Sequence, residues 1–152
     1  MRPTEIQAAI ALNQFKRKEI FKKERDYNRR KIIQKVVQSS KYDNQIYFLK
    51  ANDDINPSWF GLAIIINKKY KTKKNKYLNF LEKKGIETRP IISGNFANQP
   101  ATKLYNLNHK KFKFPNAQFI EDHGFFIGLH TKKIDNKTLS YISSNLLKIN
   151  DI

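Results

Sequence analysis

The stretch "SWFGLAIIIN", residues 58–67, decides the fold of this chain. Within it, "WFGLAIII" is the longest apolar run of the sequence, and it is much shorter than the roughly 18 apolar residues that a membrane span needs. A short apolar run between polar segments fits a strand that is buried on both faces. The sequence therefore predicts a sheet with its own hydrophobic core.

Shorter patterns on both sides of this strand predict a mixed architecture. Further strands are predicted at "QIYFLK", at residues 86–92 and at "FFIGLH", with a polar turn at residues 68–75. Helical segments are predicted at "KYLNFLEKKG", "NQPATKLYN", "PNAQFIEDHG" and, after Asp135 as its cap, "NKTLSYISSNLLKI". Four short strands separated by helices indicate an α/β (α+β) layer, with one sheet and helices packed on one of its faces.

The first residues predict one long helix over residues 4–38, straight or bent. Ile6, Ala9 and Ile10 open an apolar stripe at helical spacing, and the stripe continues through the charged segment that follows. A helix of this length has no hydrophobic partner of its own in the rest of the chain. We therefore expect its first turns to pack on a structure that this chain does not contain.

Composition excludes several classes of protein. The chain has 152 residues, the size of one domain, and no cysteine, which excludes disulfides, thiolate metal sites and a cysteine nucleophile. No signal peptide is recognisable, because Glu5 interrupts the first residues and no cleavage site follows an apolar core. These features favour a cytoplasmic protein without a membrane anchor.

The net charge of +17 leaves two interpretations open. A small basic protein that binds nucleic acid or another polyanion is one of them. However, lysine far outnumbers arginine and is scattered over the chain, whereas phosphate and base recognition usually favours arginine. The charge therefore fits a solvated surface at least as well.

The chain shows no self-contained catalytic motif. His109 lies in a lysine-rich segment, His123 stands at a helix end, and His130 ends a predicted strand, where functional groups are often presented. No HExxH, GxSxG or GxxxxGK[ST] pattern is present, and the acidic residues are too scattered to predict a carboxylate pair. The histidines alone do not identify a reaction.

The stretch "IETRPIISGNFANQP", residues 86–100, concentrates glycine, proline and arginine. Gly94 can adopt a positive φ, and successive N–H groups in such a turn can bind an anion. Arg89 precedes the turn, and Phe96 and Gln99 follow it. Two interpretations remain open from spacing alone: a ligand-facing loop, or a tight turn that a buried arginine braces.

Four segments of the chain resemble one enzyme family in their order. "RPTEIQAAIAL", "PSWFGLAI", "GIETRPIISGNFANQP" and "FPNAQFIEDHGFFIGLH" are similar to successive landmarks of the DegT–StrS group of pyridoxal-phosphate-dependent sugar aminotransferases. "SWFG", "ETRP…GN…QP" and "PNA…FFIG" resemble the branch that includes the 3-dehydratases of nucleotide-linked 4-keto-6-deoxyhexoses. The resemblance covers essentially the whole chain.

This resemblance implies the C-terminal small domain of a fold-type I pyridoxal-phosphate enzyme. Residues 1–38 would be the connector helix from a large domain, and residues 39–152 the small α+β domain. The parent enzyme would be a homodimer that uses pyridoxal 5'-phosphate in the synthesis of lipopolysaccharide or other surface-polysaccharide sugars. The lysine or histidine that meets the cofactor matches no position here, so we expect this chain alone to have no catalytic residue, no tightly bound cofactor and no activity.

The resemblance also implies the side that faces the substrate, a nucleotide-linked 4-keto-6-deoxy sugar. The residues expected to line the entrance for this sugar are Arg89, Ser93, Gly94, Asn95, Phe96, Gln99 and His130. Arg2 is expected near the subunit interface, close to the cofactor. A separately encoded large domain is a further possible partner, while a nucleic acid partner, a membrane and a metal site are not expected.

Overall fold

The computed structural model describes residues 4–105, 107 and 113–152 of the chain. Its elements, in chain order, are α1 (Glu5–Phe15), α2 (Lys18–Val37), β1 (Ile46–Phe48), β2 (Gly61–Ile66), α3 (Lys74–Lys83), β3 (Thr88–Arg89), α4 (Pro100–Leu104), α5 (Pro115–His123), β4 (Gly124–Gly128) and α6 (Asn136–Leu146). Short 3₁₀ helices occupy Lys68–Lys73, Phe96–Asn98 and Lys148–Asp151.

The four strands form one antiparallel sheet in the order β1-β2-β4-β3. Gly61 of β2 lies opposite Gly128 of β4, and Arg89 of β3 lies opposite Phe126 of β4. The apolar run that predicted a buried strand thus occupies one of the two central positions. The predicted α+β layer is confirmed.

The core lies between one face of this sheet and helices α2, α3 and α6. Its fully buried members include Val36 of α2, Ile64 of β2, Tyr77 of α3, Phe125 of β4 and Leu139 of α6. The Tyr77 ring meets the Phe125 ring edge-on at 5.9 Å between centroids, and its hydroxyl donates to the Leu146 carbonyl at 2.8 Å. Burial raises the pKa of Tyr77, so this hydroxyl stays a donor.

The predicted long helix is two helices. Residues 16–17 interrupt it, because Arg17 leaves the helical conformation and its N–H donates to the Gln14 carbonyl at 3.0 Å. None of the side chains in Glu5–Phe15 is buried, whereas Ile32 and Val36 of α2 belong to the core. The division of the chain at residue 38 stays a prediction.

Two local predictions differ from the structure. The strand expected over residues 86–92 is limited to Thr88–Arg89, because Pro90 has no N–H to donate and Ile92 has a φ of +50°. The polar turn expected after β2 includes a 3₁₀ helix, Lys68–Lys73, which Asn67 caps by accepting from the Lys69 N–H at 3.1 Å.

Within the described part of the chain, no helix combines the length and apolar character needed to cross a membrane.

Candidate functional site

Arg89 and His130 line the same open cavity, of about 560 Å³, at the β3 edge of the sheet. Its walls come from the segment between α3 and β3, from β4 and the residues after it, and from α6. Arg25 of α2 and Phe60, just before β2, complete it. Strand pairing brings Arg89 next to β4, since β3 and β4 are neighbours in the sheet but far apart in sequence. The packing of α2 and α6 against the sheet adds the remaining walls.

The Arg89 guanidinium is exposed and is paired within its own strand segment. Its Nε and Nη2 atoms donate to Glu87 Oε1 at 2.8 and 2.7 Å. Both side chains are well exposed, so this ion pair contributes little to stability. The interpretation of a buried arginine that braces the turn is therefore wrong, and Arg89 is free to exchange its partner for a ligand.

His130 is held by its backbone and by one ring nitrogen. Its carbonyl accepts from Asn28 Nδ2 at 3.0 Å, and its Nδ1 accepts from the Lys132 N–H at 3.0 Å. A neutral imidazole that accepts at Nδ1 carries its proton at Nε2. The ring can therefore donate one hydrogen bond from the rim of the cavity.

The predicted loop residues lie at a second, separate cavity. Ser93, Gly94 and Gln99 line a cleft of about 350 Å³ beside Glu121 of α5. Gly94 has a φ of +64°, as predicted for this turn. The structure therefore divides the predicted site residues between two places.

The polar groups of this loop are used within the chain. The buried Asn95 donates its N–H to Glu121 Oε2 at 2.6 Å, and its Nδ2 donates to Gln118 Oε1 at 3.1 Å. Gln99 Nε2 donates to the Ser93 carbonyl at 2.9 Å. A carboxylate of the chain itself thus occupies the position at this turn where a ligand anion would bind, while the Phe96 ring remains exposed.

His123 is buried at the end of α5, against the Phe119 ring at 4.6 Å between centroids. Burial lowers the pKa of His123; Asp122 acts in the opposite direction, and Lys71 and Lys74 act with burial. Among the described residues its Nδ1 has no hydrogen-bond partner. It lines neither cavity and is a structural residue.

Arg2 and His109 lie outside the described residues. Sequence reasoning missed Arg25, Phe60 and Glu121. Phe60 belongs to the quoted "SWFG" motif, which could have identified it, whereas Arg25 is one cation among many in α2 and gives no signal. Over residues 4–105, 107 and 113–152, no cluster of three acidic or histidine side chains could hold a metal ion.

Comparisons with known proteins agree with this architecture. The sequence profile of the DegT/DnrJ/EryC1/StrS aminotransferase family matches residues 1–146. This chain belongs to that family. A GDP-4-keto-6-deoxy-D-mannose 3-dehydratase of Yersinia pseudotuberculosis is 30% identical over 131 residues, which are 86% of this chain and 32% of the relative.

Solved structures give the same result. The GDP-4-keto-6-deoxy-D-mannose-3-dehydratase of E. coli with bound hydrated PLP superimposes with a TM-score of 0.79 at 26% identity, covering 96% of this chain and 36% of that one. A variant of such a dehydratase with bound GDP-perosamine also gives 0.79 at 26% identity and the same coverage. The chain therefore spans about a third of the length of these relatives.

Pyridoxal phosphate is the cofactor of the full-length family. Its chemistry needs a lysine amine, or another group, at the reacting carbon. Burial lowers the pKa of Lys74, yet its Nζ donates to the Glu121 carbonyl at 2.6 Å. No lysine of the described residues lines the cavity of Arg89 and His130, so no catalytic step is assigned to this chain.

Proposed function

We propose that this chain is the C-terminal part of a pyridoxal-phosphate-dependent enzyme that acts on a nucleotide-linked 4-keto-6-deoxy sugar. The family match over residues 1–146 and the likeness to a 3-dehydratase support the enzyme class. One observation carries the role of this part: Arg89 and His130, two of the seven residues that the family resemblance places on the substrate side, line one cavity. In this proposal the chain supplies the wall that closes over the sugar nucleotide.

The coding DNA tests this proposal most directly. We expect the sequence upstream of the first codon, or a neighbouring gene, to encode a large domain with the lysine or histidine that meets the cofactor. A lysine there would indicate amine transfer, and a histidine would indicate dehydration. Unrelated sequence in both places would overturn the proposal.

The chain alone is expected to be inactive and to bind pyridoxal phosphate weakly. After incubation with the cofactor and reduction with borohydride, mass spectrometry should show no selectively labelled lysine. Selective labelling of one lysine would contradict this expectation, because it would require a preformed aldehyde site on the chain.

The partner in this proposal is a large domain, in the same gene or a separate one, within a cytoplasmic homodimer. Ile6, Ile10 and Phe15 of α1 are each more than half exposed, and none of the side chains of α1 is buried. Large apolar side chains exposed along one helix are typical of a surface that a partner covers. The purified chain should bind an apolar dye, and Ile6→Lys with Ile10→Lys should reduce that binding; a chain that binds no dye would remove the argument for a partner.

A further inference from the structure

Asn28 is a fully buried polar residue within α2 whose side chain contacts a distant part of the chain. Asparagine is a poor helix former, because its amide competes for nearby backbone groups. Here the hydrogen bonds of the amide all go to the irregular segment between β4 and α6, residues 129–135, more than a hundred positions away in the sequence. The asparagine therefore serves this segment rather than its own helix.

These hydrogen bonds hold the backbone around His130. Asn28 Nδ2 donates to the carbonyls of His130 and Lys132 at 3.0 and 2.8 Å, so one nitrogen ties together two carbonyls that are two residues apart. Asn28 Oδ1 accepts from the Ile134 N–H at 2.9 Å. Leu129, on the other side of His130, is buried in the core. The backbone of His130 is thus fixed from both sides.

The same turn places a backbone donor beside the imidazole ring. The Lys132 N–H donates to His130 Nδ1 at 3.0 Å, and asparagine or aspartate side chains accept from the N–H two residues on in the same way. Both residues are exposed, so water would compete for this contact if the turn were not held. Nε2 is therefore the ring nitrogen that is left for a ligand, and the ring lines the cavity of Arg89.

We propose that Asn28 is a positioning residue for His130: by fixing this turn it keeps Nδ1 as an acceptor, so that Nε2–H is the donor at the cavity. A neutral imidazole that accepts at one nitrogen carries its proton on the other. A ligand group that meets this ring must then offer an acceptor, such as a keto or hydroxyl oxygen. This consequence for the ligand rests on the proposed function, whereas the effect of Asn28 on the ring does not.

A purely structural role of Asn28 predicts a different result. If the asparagine only added stability, its removal would lower the folded fraction and leave the ring unchanged in the molecules that remain folded. If it positions the ring, its removal changes the hydrogen bond at Nδ1 and the location of the ring proton within the folded state. The two roles are therefore separated by observing the ring itself.

The test is NMR of the ¹⁵N-labelled full chain without ligand, at about pH 8, where an ordinary histidine is neutral. In the wild type we expect the His130 ring proton on Nε2 and a scalar coupling across the hydrogen bond between the Lys132 amide nitrogen and Nδ1. In Asn28→Ala the coupling should disappear, the ring should populate both proton positions, and the Lys132 amide should exchange with solvent about tenfold faster. The spectrum of His130→Gln identifies the ring signals by their loss.

Asn145→Ala is the matched control. Asn145 is also buried in a helix, but its Nδ2 donates to the Tyr141 carbonyl of its own helix at 2.8 Å, so its removal should leave the His130 ring unchanged. Asn28→Ser, which keeps a small polar side chain at the buried position, is a second variant with the same expected effect on the ring.

The inference is overturned if the wild-type ring carries its proton on Nδ1, or if no coupling joins the Lys132 amide to that nitrogen. It is equally overturned if either variant of Asn28 keeps both the coupling and the single proton position. Because no ligand is used, each of these results leaves the proposed function to be decided separately by the upstream coding sequence.

Discussion

Asn28 is the residue that fixes the segment carrying His130. It is fully buried in α2; its Nδ2 donates to the carbonyls of His130 and Lys132 at 3.0 and 2.8 Å, and its Oδ1 accepts from the Ile134 N–H at 2.9 Å. Asn28→Ala leaves these backbone groups without partners, so we expect the free energy of unfolding to fall by about 2–4 kcal/mol. Urea denaturation measures this change.

The control for Asn28 is another asparagine within a helix. Asn79 is exposed in α3, and Asn79→Ala should change the free energy of unfolding by less than about 0.5 kcal/mol. Equal effects of the two variants would mean that helix propensity, rather than the three hydrogen bonds, decides the result.

The lowered pKa of the buried His123 predicts that the free energy of unfolding falls in mild acid. Because burial lowers its pKa in the folded state, the unfolded chain binds the proton first as the pH drops through the ordinary histidine value of about 6.5. The free energy of unfolding should fall from there until the pH reaches the folded pKa, below which this contribution is constant. Thermal melts of the wild type and His123→Phe between about pH 7.5 and about pH 5 measure it. A variant with the same pH dependence as the wild type would contradict this assignment.

At the scale of elements, α5 holds the loop of residues 93–99 in place. Glu121 accepts from the Asn95 N–H at 2.6 Å and from Asn98 Nδ2 at 3.1 Å. In Glu121→Ala we expect the Asn95 amide to exchange with solvent about tenfold faster, because it loses a charge-assisted hydrogen bond. Hydrogen exchange followed by NMR measures this rate.

Glu19→Ala is the matched control for the hydrogen bonds that Glu121 accepts from the loop. Glu19 is an exposed helical glutamate whose nearest cation, Lys18, is 4.0 Å away, so its removal should leave the Asn95 amide unchanged. If Glu121→Ala also leaves that amide protected, the loop is held by its own turn geometry and not by α5.

The sequence predicted these elements better than the contacts between them. Apolar periodicity and caps predicted β2, α3 and α6, and the Ser-Gly-Asn turn predicted the positive φ of Gly94. These features were predictable because they depend on residues that are neighbours in the sequence. The break at Arg17 and the short β3 depend on which backbone groups find partners, and local patterns do not contain that information. Arg25 reaches the cavity through the packing of α2, and Glu121 reaches the loop through that of α5, so neither residue was recognisable from spacing.

At the scale of the whole molecule, the excess positive charge is spread over the surface rather than gathered at one site. Several ion pairs among the described residues, such as Arg30–Asp26 at 2.8 Å and Lys148–Asp151 at 2.9 Å, are exposed. Exposed pairs contribute about 0–1 kcal/mol each. They offset little of the repulsion among the remaining cations, so the net charge of +17 should oppose the folded state.

This balance predicts that salt stabilises the protein. Raising NaCl from about 10 mM to about 100 mM shortens the Debye length from about 30 Å to about 10 Å, which screens long-range repulsion more than contacts within an ion pair. We therefore expect the thermal midpoint to rise over this range, measured by circular dichroism at fixed pH. A midpoint that falls would mean that local ion pairs outweigh the repulsion. The same titration with duplex DNA present examines the polyanion alternative. That alternative predicts tight DNA binding at physiological salt, which weakens steeply as more salt is added, whereas a merely solvated surface predicts no binding at physiological salt.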